Sequence, residues 1–151
     1  MSYWIGVVGS REALERLRAD RESWWCVPKR AKAGDALAIY VAKKRLKGLP
    51  EDQAGIAAIF EITGPEPERV ADCGAFGGAF GSNRPMPVKI LLRKRFATTL
   101  RIAEMKKDLL LAGAVFVRQS FQGTCFAASR AQFERISTLL ELKQGNPKTS
   151  E

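Results

Sequence analysis

Apolar and polar positions alternate most cleanly over residues 88–96, where Val88, Ile90 and Leu92 take one face and Lys89, Leu91, Arg93 and Arg95 the other. Alternation with period two predicts a strand with a core face and a mostly basic outer face. Residues 3–8 form a short apolar run rich in β-formers and predict a first strand. Ser10 stands where it would cap a short helix whose inner face carries Leu14 and Leu17. The segment Trp24-Trp25-Cys26-Val27 stops at Pro28, which drives its predecessor towards extended geometry. Ala33-Gly34-Asp35 reads as a turn into a buried strand over 36–42. A basic loop with Gly48 and Pro50 follows, and 55–63 predicts another strand.

The pattern breaks between 64 and 87, where five glycines and four prolines exclude a regular element. This stretch carries Phe76 and Phe80, large apolar side chains in a segment that belongs at the surface. Periodicity then predicts a helix over 100–110, with Thr99 as its cap. A hairpin is expected from 115–120 and 124–128 across Gln122-Gly123. Ser129-Arg130-Ala131-Gln132 is a capping box, followed by Phe133, Ile136, Leu139 and Leu140 at helical spacing. Five or six short strands among three short helices imply an α+β fold, a small mixed β-barrel with short flanking helices. The domain spans 1–142, and 143–151 is expected to be a disordered polar tail.

At 151 residues the chain has the size of one domain, and a 46% hydrophobic content is enough for a core. It contains no His. That removes the commonest general base, the commonest metal ligand and every Ser-His or Cys-His nucleophile pair. Its three cysteines, Cys26, Cys73 and Cys125, share no CxxC spacing and do not form a zinc motif. The expectation is a non-enzyme with no metal and no cofactor. No signal peptide and no apolar run of about 20 residues is evident, so a cytoplasmic monomer with reduced cysteines and no membrane contact is expected.

Charge narrows the partner. Lys and Arg number 25 against 16 Asp and Glu, a net +9, which suits a polyanion because each neutralised phosphate releases condensed counterions. The cations cluster as Lys29, Arg30 and Lys32, as Lys43, Lys44, Arg45 and Lys47, and as Arg93, Lys94 and Arg95. Lys29, Arg30, Lys43, Lys44, Arg45 and Arg84 are the expected phosphate contacts.

Four segments resemble the EVE domain, of the PUA-like superfamily that also holds the YTH domains. Tyr3-Trp4-Ile5 is similar to the Tyr-Trp-Leu that opens EVE domains, and Trp25-Cys26-Val27 resembles the tryptophan segment after the first helix in both families. Lys32-Ala33-Gly34-Asp35-Ala36-Leu37-Ala38-Ile39-Tyr40 is close to the EVE pattern of Lys-x-Gly-Asp, three apolar residues and Tyr. Gly55-Ile56-Ala57-Ala58-Ile59-Phe60-Glu61-Ile62 resembles the Gly-Ile-x-Gly-x-x-Glu-Val strand. More loosely, Val117-Arg118-Gln119-Ser120 and the Phe133 helix are similar to the closing hairpin and helix. The family's Lys-Ser pair at the end of the first strand is absent, the nearest residues being Val7-Val8 and Gly9-Ser10.

The resemblance implies a PUA-like fold with a pocket for one modified base of DNA or RNA, a methylated or hydroxymethylated cytosine or adenine. YTH domains hold N6-methyladenine in an aromatic cage, and EVE domains are thought to read modified cytosines. Trp25 is the expected first wall, Phe76 or Phe80 the second, and Tyr40 the rim. Trp24, Trp4 and Ser10 are the further pocket candidates, Trp24 because neighbours in an extended segment point to opposite faces. Lys29, Arg30 and Lys44 would hold the phosphates flanking the extruded base. Two alternatives compete: a PUA-like module that grips structured RNA through its basic face alone, and a protein-interaction subunit whose charge serves solubility.

Overall fold

The apolar run at 36–42 becomes an inner strand of a six-stranded sheet in the computed structural model. The structure describes residues 1–43, 46–69, 73, 85–120 and 125–145. Lys44, Arg45, Phe76, Phe80 and Arg84 lie outside the described residues, as does the glycine-rich stretch 74–81.

The strands are β1 (Tyr3–Val8), β2 (Glu22–Val27), β3 (Ala36–Val41), β4 (Gly55–Pro65), β5 (Met86–Leu100) and β6 (Cys125–Ala128). The helices are α1 (Arg11–Ala19), α2 (Ile102–Lys107), α3 (Val115–Arg118) and α4 (Arg130–Gly145). The sheet runs β2-β5-β4-β3-β1-β6, with β1 and β3 parallel and every other neighbour antiparallel. It curls into a half-barrel, an α+β fold.

Alternation along the strands divides the apolar residues between two cores. Trp4, Trp25, Leu37, Ile39, Phe60, Val88 and Ile90 form one, closed by Leu14 and Leu17 of α1. Ile5, Ala38, Tyr40, Ile56 and Phe96 form the other, covered by Met105, Phe116, Val117, Phe133, Ile136 and Leu140 from α2, α3 and α4. Ser10 caps α1 as its position implies, its hydroxyl oxygen accepting from the Ala13 N–H at 3.2 Å. Ser129 and Gln132 form the reciprocal capping box, at 3.0 and 2.9 Å. Gly34 supplies the φ of +95° on which the turn before β3 depends.

Several expectations are corrected. The strand at 88–96 runs on to Leu100, because Thr99 and Leu100 are buried and Leu100 pairs with Ile56. The Thr99 hydroxyl is therefore not a cap but donates to the Asp52 carbonyl at 2.9 Å, and the helix shrinks to α2. The segment 115–120 is not a strand. Phe116 and Val117 are both buried while Val115 is exposed, a spacing one helical turn satisfies and a one-sided strand does not. Its supposed hairpin partner, β6, pairs with β1 instead. Lys143, Gln144 and Gly145, placed in the tail, continue α4, and the Lys143 ammonium donates to Glu104 and to the Thr99 carbonyl, each at 2.7 Å.

The last correction concerns redox chemistry. Cys26 at the end of β2 is joined to Cys73 by a disulfide, so two of the three thiols expected to be reduced are not. A separation of 47 residues hid the pair in the sequence, and the fold brings their Cα atoms to 5.6 Å, inside the range a disulfide bridges.

Candidate functional site

The two tryptophans of β2 face opposite ways, and the buried one is Trp25, at 2% exposure. Its register partner is the buried Val88, which fixes its ring in the first core. Room for the indole comes from Gly6 on β1: a Cβ there would stand 2.6 Å from Trp25 Nε1 and 3.2 Å from Ile39 Cδ1. Trp24 is the half-buried member of the pair. Period two predicts opposite faces for neighbours, but only the gap at Gly6 decides which tryptophan goes in.

Trp24 lines a cavity of about 580 Å³ between the start of β2, the end of β4 and the first half of β5. Arg16 lies over its ring, the guanidinium carbon 4.2 Å from the ring centroid, and Arg69 does the same at 5.2 Å. Arg16 is anchored there, its Nε donating to Ser23 Oγ at 3.0 Å and a terminal nitrogen to the Trp24 carbonyl at 3.3 Å. Lys89, Ser23 and Thr63 add donors to the walls, and Asp20, Glu22 and Glu66 balance the charge. An aromatic face beside guanidinium groups is the chemistry that stacks a nucleobase and holds the phosphate next to it.

The other expected pocket residues do not gather around Trp25. Tyr40 is buried in the second core, across the sheet from Trp25, so the structure does not bring those two into one enclosure. Tyr40 lines a separate cavity of about 230 Å³ with Lys43, Glu51, Arg101, Ile102, Lys106 and Ser120. Burial pushes its phenol above the ordinary value, helped by the charge of Glu51. Trp4 is in the first core with its Nε1 bound to Asp35, and Arg30 lies 5.1 Å from its ring centroid. The Ser10 oxygen serves α1.

Of the cations, Lys29, Arg30 and Lys32 are exposed near the start of β3. Lys43 is exposed but paired with Glu51 at 2.7 Å, a bond that draws the Glu51 carboxyl below its ordinary value. The group in β5 is occupied locally: Arg93 pairs with Glu61, Lys94 with Glu141, and Arg95 donates to the Leu17 carbonyl at 2.6 Å. Charge in the sequence therefore overstates the basic surface that β5 offers. Among the described residues no group of three or more His, Cys, Asp or Glu is placed to hold a metal ion.

Sequence reasoning missed one feature outright. Asp35, read as a turn residue, is 3% exposed and accepts three hydrogen bonds: from Ser2 N at 2.8 Å, Lys32 N at 2.9 Å and Trp4 Nε1 at 3.0 Å. Burial alone would raise its carboxyl, but the three donors outweigh that and hold it below the ordinary value. Gly-Asp before an apolar strand, with a Trp in the opening strand, was the available signal.

Comparison with solved structures finds this fold elsewhere. A hypothetical protein from Leishmania major is similar with a TM-score of 0.68 at 17% identity, over 95% of this chain and 97% of that one. The DUF55 domain of human thymocyte nuclear protein 1 matches with a TM-score of 0.61 at 12% identity, over 93% of this chain and 99% of that one. The MmI1 YTH domain matches with a TM-score of 0.54 at 10% identity, over 94% of this chain and 96% of that one. At such identities the likeness establishes the fold alone, a half-barrel shared with a DUF55 and a YTH domain. No protein-family model matches the sequence, and no curated protein does.

Proposed function

We propose that this domain binds nucleic acid and reads a modified base, with the indole of Trp24 as the stacking surface. The observation that carries the reading is the fold shared with a DUF55 and a YTH domain over 93% and 94% of this chain. The net charge of +9 supports it. Trp24 is the tryptophan of β2 that reaches a cavity, and guanidinium groups already lie against its ring. A base entering there takes the place of an arginine on the ring. Stacking on an aromatic side chain is worth about 1–3 kcal/mol per base, against about 0.5–1 kcal/mol for an exposed cation–π contact. The displaced guanidinium then lies beside the flanking phosphate. Because the reading is a binding one, no catalytic role is assigned.

The test is fluorescence anisotropy with single- and double-stranded DNA and RNA oligonucleotides, unmodified or carrying a methylated or hydroxymethylated cytosine or adenine. A preference for one modified base, lost in Trp24→Ala while the circular dichroism spectrum is unchanged, is the expected result. Equal affinity for modified and unmodified strands would remove the base-reading claim and leave a basic-face RNA binder. No binding in low salt would end the nucleic-acid reading altogether.

A further inference from the structure

Residues 109–115, Leu-Leu-Leu-Ala-Gly-Ala-Val, lead from α2 into α3 without one polar side chain. Leu111 and Ala114 are buried and pin the turn to the second core. The others face solvent: Leu109 is 100% exposed, Val115 56% and Leu110 45%, with Ala112 and Gly113 exposed between them. Among the described residues five large hydrophobics are exposed, and three of them fall in this one stretch. Exposed apolar side chains scattered singly need no explanation, but a contiguous group rimmed by polar residues marks an interaction surface.

The turn that presents them is built. Asp108 Oδ2 accepts from the Leu110 amide at 3.2 Å and the Leu111 amide at 3.1 Å. The Asp108 carbonyl accepts from Ala112 at 2.9 Å, and the Leu111 carbonyl from Ala114 at 3.0 Å. Arg135 of α4 donates to the other Asp108 oxygen at 2.8 Å. Four amides of the loop are therefore satisfied without water, which lowers the polar cost of moving it into apolar surroundings. The flanks are cationic. Lys106 and Lys107 precede the loop and Arg118 follows it, all exposed, and among the described residues none of the three forms a salt bridge. Both carboxylates between 101 and 120 are engaged by α4, Glu104 by Lys143 at 2.7 Å and Asp108 by Arg135 at 2.8 Å.

We propose that this loop docks on an anionic lipid surface, Leu109, Leu110 and Val115 entering the boundary between headgroups and acyl chains while Lys106, Lys107 and Arg118 meet the headgroup charge. Apolar side chains beside unpaired cations are the two signals that interfacial binding combines. Contact of this kind needs no spanning segment, and among the described residues no helix is long and apolar enough to cross a bilayer. A nucleic acid would satisfy the cations but leave three exposed apolar side chains without a role. A second copy would set like charges against these flanks. Specific protein interfaces engage roughly 20–30 residues a side, whereas the apolar surface here is confined to one loop. The docking loop shares no residue with the Trp24 cavity and does not depend on the base-reading proposal.

Co-sedimentation of the whole protein with vesicles of phosphatidylcholine, alone or mixed with phosphatidylserine, tests it. Binding is expected to the mixed vesicles only, and it should weaken as salt is added. Leu109→Glu with Leu110→Glu should weaken it by about tenfold or more. Lys106→Gln with Lys107→Gln should weaken it several-fold, while Arg93→Gln with Lys94→Gln leaves it unchanged. Both leucines are exposed, so the fold should survive their replacement, and melting curves check this. In Leu109→Trp the added emission should shift to the blue on mixed vesicles. Failure of the wild type to bind mixed vesicles overturns the proposal, and self-association lost in Leu109→Glu would then assign the loop to a second copy. Undiminished vesicle binding in the folded Leu109→Glu, Leu110→Glu protein also overturns it, since charge alone would then account for the binding.

Discussion

The indole N–H of Trp4 donates to the buried carboxylate of Asp35 over 3.0 Å, tying β1 to the turn that begins β3. The same carboxylate takes the Ser2 and Lys32 amides, so three segments converge on one charge. That charge stands at the edge of the one parallel strand pair in the sheet, Tyr3 opposite Ala36. Parallel neighbours cannot be joined by a short hairpin. Here α1 and β2 intervene in the chain, and the Asp35 contacts fix the register directly.

Asp35→Asn should therefore destabilise the fold by about 1–3 kcal/mol at pH 7, the cost of presenting an amide donor where only acceptors fit. At this chain length that corresponds to about 2–4 °C of melting temperature per kcal/mol. The pH dependence follows from the lowered carboxyl. A depressed folded value stabilises the protein above the unfolded value, about pH 3.9, and the contribution is lost as pH falls through the folded one. Melting curves from pH 7 to pH 2 should show the wild type and Asp35→Asn converging on the acid side. Parallel curves across the whole range would show that the charge contributes nothing.

How much of this was legible in the sequence depends on whether the signal was local. The strands at 3–8, 36–41 and 55–65 announce themselves because buried β-branched and aromatic residues recur within each. The Ser129 capping box is local too, and it formed. By contrast, Val115-Phe116-Val117 has strand propensity but helical burial, and the second core overrode propensity. Which of Trp24 and Trp25 is buried depends on a glycine nineteen residues before Trp25, across the sheet. The pairing of β5 cations with Glu61 and Glu141, and of Cys26 with Cys73, is non-local in the same way. The candidate site was misplaced for one reason: Trp25 and Tyr40 carry motif signals, but the sheet that separates their side chains exists only in three dimensions.

The cysteines give a direct test of one such long-range contact. A disulfide spanning 47 residues constrains the unfolded chain, and the chain-entropy estimate for that loop is about 4 kcal/mol, with 2–4 kcal/mol typical of measurement. Cys73→Ser, or reduction, should lower the unfolding free energy by about that amount. Cys125 is half-buried, and desolvation pushes its thiol up to about 12, with the charge of Arg30 only partly opposing this. A thiol reagent at pH 8 should therefore react with it much more slowly in the native protein than in the unfolded chain. The reagent should find one thiol after unfolding without reductant, and all three after reduction. Three thiols in the unfolded, unreduced chain would exclude the disulfide.

The basic residues divide by what they already touch, and this makes a sharper prediction than net charge. Arg93 and Lys94 are each held by a carboxylate, so turning them to a phosphate breaks an existing pair and gains little. Lys29 and Lys32 are exposed, and no salt bridge engages either among the described residues. If about four phosphates are contacted, log K should fall with log[salt] at a slope of roughly −3 to −4. Lys29→Ala and Lys32→Ala should each make that slope shallower by about one and weaken every oligonucleotide alike. Arg93→Ala and Lys94→Ala should leave both slope and affinity close to wild type. Lys44→Ala is expected to behave as Lys29→Ala does. Titrations at several salt concentrations between about 50 and 200 mM resolve these cases. A slope near zero for the wild type would mean that the charge serves solubility. A loss of slope in Arg93→Ala equal to that in Lys29→Ala would mean that the β5 pairs open on binding and that the strand track crosses the outer face of β5.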